Sequence, residues 1–387
     1  MSLNNNYKVA LVIKTDGLEY DDRVRKEILT IQKLFPNISF KIFVMLPENR
    51  AYEGVTSYGI PYRVVYLKTR DKYPSAKKLL HKSYEFYKVI KDELKQYDAI
   101  WCGDIHCFMI PLLVKSKRIL WDLHELPNKF IGSRVREYLL KYILDRCRVV
   151  VHANPQRCEY MAKLGLISDI TKHYAIRNYP NFDDVDHEYD DIYKDFIRWK
   201  NNRRCVYLQG LNNDGRAAYE SVKTVLDTDD LVAVVVGSFD KKAKELLEKE
   251  YAKGLENRVF FAGRIPQLKL PQYVEACFTT MVFYKNIRPN NYYCEANRFY
   301  QSVIIGLPVL VGSNPPMKEI VEKFGFGVSI DDDGSSVDKM KEGLDRLLVN
   351  YDNYKENVIK HRHHLVWDQQ EPMFRQIIEK LFNDVED

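Results

Sequence analysis

Arg216 in the second half of the sequence stands where a polar turn runs into a helical pattern. The segment Tyr207–Arg216 starts as a strand-like apolar run and continues through a turn rich in Gly and Asn, including Gly210. An arginine near a helix N-terminus can bind a diphosphate through charge-assisted hydrogen bonds, assisted by backbone amides. The same pattern is also typical of a surface arginine in a turn.

A second polar group opens the amphipathic helix expected after Glu295. Asn297, Arg298 and Gln301 are spaced i, i+1 and i+4, which places them on one side of that helix. The helix ends in a Gly-Leu-Pro sequence that leads into another apolar run. A cation and two amides on one side of a helix start suit an anionic, hydroxyl-bearing ligand.

His124 is the candidate catalytic residue of the first half. It follows the apolar run Ile119–Trp121, where a loop after a buried strand begins. Strand alternation directs Asp122 and His124 to the same side. A histidine there can donate to a sugar hydroxyl or to a reacting centre, and a neighbouring carboxylate can fix its tautomer. The alternative is a histidine that binds backbone groups at a strand end.

The first apolar run, Val9–Ile13, leads into Lys14–Glu27, which contains Gly17 and several acidic residues. Gly17 would let the backbone approach a ligand. The segment has no GxGxxG pattern, and GxxxxGK[ST] occurs nowhere in the chain. Nicotinamide or flavin binding and P-loop phosphoryl transfer therefore lose their main support.

Short apolar runs alternate with helical-period segments along the whole chain, which predicts βαβ units and parallel sheets. We expect an α/β protein with two Rossmann-like, doubly wound parallel-sheet domains that face each other across a cleft, with ligands beyond the carboxyl ends of the strands. The predicted domains are 1–180 and 201–365. Residues 181–200 are the expected linker, because proline punctuation and an acidic run mark them. The predicted strands contain Val9–Ile13, Phe40–Met45, Tyr62–Leu67, Ala99–Trp101, Ile119–Trp121, Val149–Val151, Val206–Leu208, Val232–Val236, Val259–Phe261, Thr280–Phe283, Pro308–Val311 and Gly327–Ile330.

Several motifs together resemble retaining glycosyltransferases of the GT-B fold, of the family 4 type that builds bacterial surface polysaccharides. They are DDRVRKE at 21–27, CGDIH at 102–106, DLHEL at 122–126 and NRFYQSVIIGLPV at 297–309. The resemblance covers nearly the whole chain, in order. It also implies that residues 366–387 form a final helix that crosses back to the N-terminal domain.

The resemblance implies roles for named residues. Arg216 would contact the donor diphosphate, Arg298 would lie on the same side, and His124 would hold a sugar hydroxyl. Three positions depart from the family pattern, one of them Asp22, which stands where the family has proline. Gln301 stands where the family has a ribose-binding glutamate, and Ala217 replaces the glycine that follows the arginine. The remaining donor-binding residues implied are Gly17, Asp104, Glu125, Gly210, Glu295, Asn297 and Gln301.

The implied reaction moves a hexosyl group from a UDP- or GDP-linked sugar to an acceptor hydroxyl with retained configuration. The acceptor would be a glycan or lipid-linked glycan of capsule, O-antigen or exopolysaccharide. Arginines and helix amides would stabilise the developing phosphate charge, so we expect no metal site and no cofactor. Two alternatives stay open. Gln301 and Ala217 favour a non-catalytic sugar-nucleotide or glycan-binding subunit, and a hydrolysing nucleotide-sugar 2-epimerase would use the same architecture.

Composition and charge exclude other classes. The chain of 387 residues is 45% apolar and 29% charged, which excludes disorder and a small disulfide scaffold, and its seven cysteines show no CxxC spacing. We expect a cytoplasmic protein. Residues 1–180 carry 31 Lys and Arg against 19 Asp and Glu, whereas residues 181–387 carry 28 against 35.

The basic excess of the N-terminal half is densest in Arg63–Lys95. A basic face can dock on anionic lipid, so we expect peripheral membrane contact through this half. Nucleic-acid binding is not expected, because no reading motif accompanies the charge. We expect the aromatic residues of this segment to pack into the core; they are Tyr66, Tyr73, Tyr84, Phe86 and Tyr87.

Overall fold

The computed structural model of the protein describes residues 5–73, 77–181 and 188–383. These residues divide into two compact units. The first unit comprises Met1–Asn178 together with Gln370–Asp387, and the second unit comprises Tyr179–Gln369. The chain therefore leaves the first unit once and returns to it at the C-terminal end.

The first unit is built on an eight-stranded sheet with strand order β3-β4-β2-β1-β5-β6-β7-β8. All neighbouring strands are parallel except β3 and β4. Its central strands are continuous apolar runs because helices cover both faces of such a sheet. The strands are β1 (Tyr7–Lys14), β2 (Ile38–Met45), β3 (Tyr52–Val55), β4 (Pro61–Val64), β5 (Ala99–Gly103), β6 (Ile119–Leu123), β7 (Val149–His152) and β8 (His173–Ala175).

Six helices of the first unit connect these strands. Asp21 caps the first of them, because its Oδ1 accepts a hydrogen bond from the Val24 amide (3.3 Å). The helices are α1 (Asp22–Leu34), α2 (Lys68–Lys72), α3 (Leu79–Leu94), α4 (Met109–Leu113), α5 (Arg134–Arg146) and α6 (Pro155–Lys163).

The second unit contains a six-stranded, fully parallel sheet with strand order β11-β10-β9-β12-β13-β14. The strands are β9 (Arg204–Gln209), β10 (Leu231–Val236), β11 (Val259–Gly263), β12 (Thr279–Val282), β13 (Val309–Val311) and β14 (Gly327–Ser329). The helices are α7 (Asp191–Lys200), α8 (Ala218–Leu226), α9 (Lys241–Tyr251), α10 (Leu255–Arg258), α11 (Leu270–Glu275), α12 (Pro289–Tyr292), α13 (Asn297–Ile305), α14 (Pro315–Phe324), α15 (Val337–Val349) and α16 (Tyr351–His361).

The final helix, α17 (Glu371–Phe382), belongs to the first unit. Its Phe382 ring stacks on Tyr7 of β1, with centroids 4.1 Å apart. Arg148 directly precedes β7 and donates to the Lys380 carbonyl (2.7 Å), so it ties α17 to that strand. None of the described helices combines the length and the apolar composition needed to cross a membrane.

The prediction of two parallel-sheet α/β domains is confirmed, and each predicted apolar run contains residues of a strand. Sequence reasoning missed β3 and β8. They have four and three residues and no fully buried side chain, so they lack the apolar run that marks the other strands.

Part of the predicted linker has a different structure. Residues 191–200 form α7, and Phe196 of that helix is fully buried in the core of the second unit. Its neighbours there include Tyr273, whose ring centroid lies 5.5 Å away. Residues 182–187 of the predicted linker lie outside the described residues.

The expectation for the aromatic residues of Arg63–Lys95 is wrong for three tyrosines. Tyr66, Tyr73 and Tyr84 are between 39% and 46% exposed, whereas Phe86 is fully buried. Tyr66 and Tyr73 lie outside α3, and for Tyr84 the reason is the helical period of that helix. Its buried stripe contains Phe86, Ile90 and Leu94 at intervals of four residues, and Tyr84 lies about 200° around the helix from Phe86.

Candidate functional site

Arg216 is held at the carboxyl end of β9 by the turn that follows the strand. Its Nη1 donates to the Gly210 carbonyl (2.7 Å). Gly210 has φ of 65°, and a Cβ atom there would lie 2.9 Å from Arg216 Nη1 and 3.9 Å from Arg298 Nη1. A glycine is needed at 210 because the turn is left-handed and the guanidinium lies against it.

Arg298 reaches the same place from α13. It is the second residue of that helix and only 5% exposed. Nη1 lies 3.4 Å from the Tyr284 hydroxyl oxygen, and Nη2 lies 3.4 Å from the Phe283 carbonyl oxygen. Nε is buried and has no hydrogen-bond partner among the described residues.

Tyr284 lies close to both arginines. Its ring centroid lies 4.9 Å from Cζ of Arg298 and 5.7 Å from Cζ of Arg216. Burial raises the pKa of the Tyr284 phenol, so it remains neutral and does not supply a negative charge. Within residues 5–73, 77–181 and 188–383, no carboxylate forms an ion pair with either guanidinium.

Two positive groups that share one aromatic ring and lack a counter-charge form an anion-binding arrangement, because a buried cation is costly unless something negative compensates it. Unsatisfied polar atoms also occur on Gln209, which precedes Gly210, and on Asn314, which donates to the Tyr284 carbonyl. Besides Arg298 Nε, the side-chain oxygens Gln209 Oε1 and Asn314 Oδ1 are buried without a partner in the described structure. We call Arg216, Arg298, Tyr284 and Gly210 the arginine pair site.

The other predicted residues of the second unit differ in exposure and in hydrogen bonding. Glu295 accepts a hydrogen bond from the Tyr300 hydroxyl (2.6 Å), which fixes the segment before α13. Asn297, the first residue of α13, is exposed, and Gln301 is half-buried one turn later. Ala217, where the family pattern has glycine, has φ of 51°, which explains why glycine suits that position.

Sequence reasoning missed Tyr284 and Asn314. Both follow strands: Tyr284 comes two residues after β12, and Asn314 three residues after β13. The Asn314 side-chain amide donates to the Tyr284 carbonyl and to the Asn291 carbonyl, both at 3.1 Å. The rule that ligands bind beyond the carboxyl ends of parallel strands could have found both residues.

The first unit contains a second charged cluster, made of Arg23, Glu27, Asp122 and His124, which we call the buried ion cluster. Arg23 Nη2 donates to Asp122 Oδ1 (3.0 Å), and Glu27 Oε1 lies 2.9 Å from Arg23 Nε. His124 Nε2 lies 2.9 Å from Asp122 Oδ2. The predicted placement of Asp122 and His124 on one side is therefore confirmed.

Local structure explains the cluster. Arg23 and Glu27 are four residues apart on α1, so they share one face of the helix. Asp122 is fully buried in β6, and the Ile176 carbonyl after β8 accepts a further hydrogen bond from Arg23 Nη1 (3.0 Å). The motifs at 21–27 and 122–126 thus meet, although sequence reasoning did not assign Arg23, Glu27 or Asp122 to a site.

Proton binding in the buried ion cluster is strongly perturbed. Burial raises the pKa of Glu27 to about 8, with the neighbouring Asp122 carboxylate adding to the effect. Desolvation opposes the charged form of His124, but Asp122 outweighs it and raises the His124 pKa to about 9. Arg23 and His124 hold the pKa of Asp122 well below its usual range despite burial. At neutral pH the cluster contains Arg23⁺, Asp122⁻, His124⁺ and neutral Glu27.

His124 has one ring nitrogen left for a ligand. Its side chain is 24% exposed, and Nδ1 forms no hydrogen bond with any residue that the structure describes. Arg157 Nη1 donates to the His124 carbonyl (2.5 Å) and fixes the backbone. A protonated imidazole anchored through Nε2 presents an N–H donor at Nδ1.

The remaining predicted residues of the first unit do not contact the buried ion cluster through a side-chain hydrogen bond that the structure describes. Asp104 Oδ2 lies 3.3 Å from His106 Nδ1, and its amide donates to the Asp122 carbonyl (2.7 Å). Glu125 is exposed and makes no hydrogen bond with a described residue. Gly17 has an extended backbone with φ of −176°, which any residue adopts, so the conformation does not require a glycine.

Glu27, Asp122 and His124 also have a spacing that could hold a metal ion. The guanidinium of Arg23 already occupies the position of a counter-cation beside the Asp122 carboxylate. A divalent cation would have to displace it, and His124 would have to lose its proton. The cluster therefore fits an internal ion pair better than a metal.

No protein-family model matches the chain, and no curated protein matches it by sequence. Solved structures match it over nearly its whole length. The sucrose-phosphate synthase of Thermosynechococcus elongatus aligns with a TM-score of 0.76 at 16% identity, covering 97% of this chain and 99% of that one. The chain has the GT-B fold.

Two further matches carry the same fold. The α,α-trehalose 6-phosphate synthase of Burkholderia multivorans aligns with a TM-score of 0.72 at 12% identity, covering 97% and 98% of the two chains. The HepE protein of Anabaena in complex with UDP aligns with a TM-score of 0.70 at 13% identity, covering 96% and 99%. HepE has also been solved with UDP-glucose. The prediction of a GT-B fold is confirmed, and the assignment to glycosyltransferase family 4 stays a prediction.

Proposed function

We propose that the protein is a glycosyltransferase that takes a sugar from a nucleotide-sugar donor, and that the arginine pair site binds the donor diphosphate. The observation that carries the proposal is the pair of guanidiniums with no carboxylate partner in the described structure. A diphosphate supplies the missing negative charge and accepts several charge-assisted hydrogen bonds. The UDP complexes of HepE, which shares the fold, support a nucleotide ligand.

The residues of the site perform the reaction by stabilising charge. When the glycosidic bond to the diphosphate breaks, negative charge grows on the leaving phosphate oxygens. Arg216 and Arg298 are already in place before that charge develops, so little reorganisation is needed. The guanidiniums supply the positive charge that a divalent metal would otherwise supply, so we propose a metal-independent donor site without a cofactor.

We propose that His124 binds a sugar hydroxyl through Nδ1. Asp122 keeps the imidazole protonated and oriented, because it accepts from Nε2 and raises the His124 pKa to about 9. A hydroxyl oxygen accepts from the charged N–H group. The role of His124 is thus positional, and a leaving diphosphate that deprotonates the acceptor on the same face would give retention.

The resemblance in motifs 21–27, 122–126 and 297–309 supports a place in the assembly of capsule, O-antigen or exopolysaccharide. We propose a glycan or lipid-linked glycan as acceptor, and peripheral contact of the basic N-terminal half with anionic lipid. Binding to vesicles of anionic phospholipid at low salt tests that contact. Absence of binding would remove it from the proposal and leave the donor site untouched.

A non-catalytic subunit that binds sugar nucleotides is the second candidate. It is favoured by Gln301 and by Ala217, whose φ of 51° is unusual for a residue with a side chain. Such a subunit would bind the donor without turning it over. Transfer to a defined acceptor separates the two candidates.

The experiment that tests the donor site is a thermal-shift and calorimetric panel of UDP, GDP, CDP, TDP and ADP with their common sugar conjugates, with and without EDTA. A ligand at 100 times its Kd stabilises the native state by about 2.7 kcal/mol. We expect one base to stand out and EDTA to have no effect. If no nucleotide stabilises the protein, the proposal is wrong; NMR of the product anomer tests retention.

A further inference from the structure

A third group of titratable side chains lies in the first unit, and neither the reaction nor the motifs use it. His152 is the last residue of β7, His173 is the first residue of the neighbouring edge strand β8, and Cys158 lies on α6. His152 Nε2 and His173 Nδ1 are 2.8 Å apart, and the rings stack with centroids 5.1 Å apart. One ring nitrogen of each histidine and Cys158 Sγ all lie within 4.8 Å of one another.

The ligand chemistry of this group is that of a zinc site. Two imidazole nitrogens and one thiolate form a ligand set that Zn²⁺ prefers, and three protein ligands leave a fourth position for water. His152 is 1% exposed and Cys158 is 8% exposed, whereas His173 is only half-buried and leaves a path to solvent. We propose that His152, Cys158 and His173 bind a zinc ion.

The protonation states suit this assignment. Burial lowers the pKa of His152 to about 3 and the pKa of His173 to about 4, so both rings are neutral near pH 7, as metal ligation requires. Burial raises the pKa of the Cys158 thiol to about 11, so without metal it holds its proton. Zinc binding replaces that proton: the Sγ–H bond breaks, the Zn–S bond forms, and one proton passes to the buffer.

The geometry needs a small adjustment. Two nitrogens that ligate one tetrahedral zinc at about 2.05 Å stand about 3.3 Å apart, so the rings must separate by roughly 0.5 Å from their hydrogen-bonded distance. His173 lies on a three-residue edge strand, which can move more easily than a central strand. The ion would join α6 to β7 and β8. Its ligand His173 lies three residues before Ile176, whose carbonyl accepts a hydrogen bond from Arg23.

Glu27, Asp122 and His124 also have metal-ligand spacing, but their chemistry differs from that of the His152 group. That set contains two carboxylates, an arginine beside them and a histidine whose pKa is raised. The group at His152 contains no carboxylate, and burial lowers the pKa of both its histidines, with the nearby Arg157 and Lys172 adding to the effect. Neutral nitrogens and a displaceable thiol proton favour a borderline-soft metal.

The test uses the untagged full-length protein, stripped with chelator and titrated with Co²⁺ as a visible probe. We expect one equivalent to give a thiolate-to-cobalt charge-transfer band that Zn²⁺ abolishes by competition. Substitution C158S should remove the band, and H152Q and H173Q should weaken Zn²⁺ binding by more than the roughly 10–100-fold that loss of an outer-shell partner costs.

Cys294 is half-buried in the second unit and gives the matched control C294S, which should keep the band. Wild-type protein that binds no Co²⁺ through sulfur would overturn the site, and so would C158S that binds Zn²⁺ as tightly as wild type. X-ray absorption on the wild-type zinc complex covers the case in which a variant fails to fold: a first shell without sulfur would contradict the proposal. No nucleotide takes part, so the result is independent of the donor site.

Discussion

Arg23 and Arg298 are almost equally buried, at 7% and 5% exposure, but their surroundings differ. Arg23 in the first unit donates to the Asp122 carboxylate and to the Ile176 carbonyl, and Glu27 lies beside it. Arg298 in the second unit contacts a phenol, a carbonyl and an aromatic ring, and no described carboxylate pairs with it.

The difference separates structural charge from functional charge. A buried arginine that is fully paired holds elements together, and in the first unit it joins α1, β6 and the end of β8. A buried arginine without an anion leaves a desolvation cost that the fold does not offset. We expect such an uncompensated arginine where a bound ligand supplies the anion. The predictions that follow test this contrast, beginning with the largest expected effect.

Removing Arg23 should damage the first unit. R23M leaves Asp122 buried with one cationic partner fewer, and breaking a buried pair costs about 3–5 kcal/mol. Hydrogen exchange of the β6 amides measures the loss. R134M removes an exposed arginine of the same unit and should change the exchange by less than about 0.5 kcal/mol. If R23M and R134M behave alike, the buried ion cluster does not stabilise the fold.

Removing Arg216 should weaken nucleotide binding more than stability. Hydrogen bonds to charged groups contribute about 1.5–3 kcal/mol, so R216M should lower the affinity for a nucleoside diphosphate by roughly 10–100-fold. Calorimetry with the nucleotide and with inorganic pyrophosphate measures the effect. R264M removes an exposed arginine of the second unit and serves as control. Equal affinities of wild type and R216M would exclude Arg216 from the site.

The pH dependence of the first unit should follow the raised pKa values of Glu27 and His124. The folded protein keeps protons that the unfolded chain releases, so stability falls as pH rises from about 4.5 through 8 for Glu27 and from about 6.5 through 9 for His124. Asp122 acts in the opposite direction, because its lowered pKa makes stability fall below about pH 4.

Substitution E27Q should remove the Glu27 part of this dependence. Between pH 5 and 8 the loss of stability per pH unit should decrease by up to about 1.4 kcal/mol, which corresponds to one proton. Exchange of the β6 amides at several pH values gives the slope, and the His124 part should remain. An unchanged slope would mean that Glu27 is ionised in the folded protein.

The smallest effect is expected at Gln301. A carboxylate at that position would accept charge-assisted hydrogen bonds from a ribose, so Q301E should raise the ratio of nucleoside-diphosphate to pyrophosphate affinity by a few fold. Comparing both ligands by calorimetry isolates the ribose contribution. A ratio that does not change would show that Gln301 does not face the nucleoside.

Sequence reasoning predicted the parallel sheets because their strands are buried on both faces and read as apolar runs. It also paired Asp122 with His124, since strand period alone fixes their common side. It could not join Arg23 to Asp122, because 99 residues separate them and only the folded sheet brings α1 and β6 together. Sequence reasoning also missed the group of His152, Cys158 and His173. The strand β8 is too short to be recognised, and His173 meets His152 only because β7 and β8 pair in the sheet.

In the second unit, the positions of Arg216 and Arg298 were predictable from the sequence, but their common contact was not. The turn at Gly210 and the start of α13 were both recognisable as positions for cations. The contact of Tyr284 with both arginines depends on the strand order β9-β12-β13, because that order places the ends of these strands side by side. The linear sequence does not reveal this order. That no described carboxylate pairs with either guanidinium is likewise a property of packing.

The most direct test of the account is the variant R298M, measured for unfolding of the second unit without ligand and for binding of a nucleoside diphosphate. Because Arg298 is buried without a described counter-charge, methionine should leave the unliganded stability unchanged or higher, while nucleotide affinity falls by roughly 100-fold. Loss of about 3–5 kcal/mol of stability together with unchanged nucleotide affinity would place Arg298 in the same structural class as Arg23 and contradict the account.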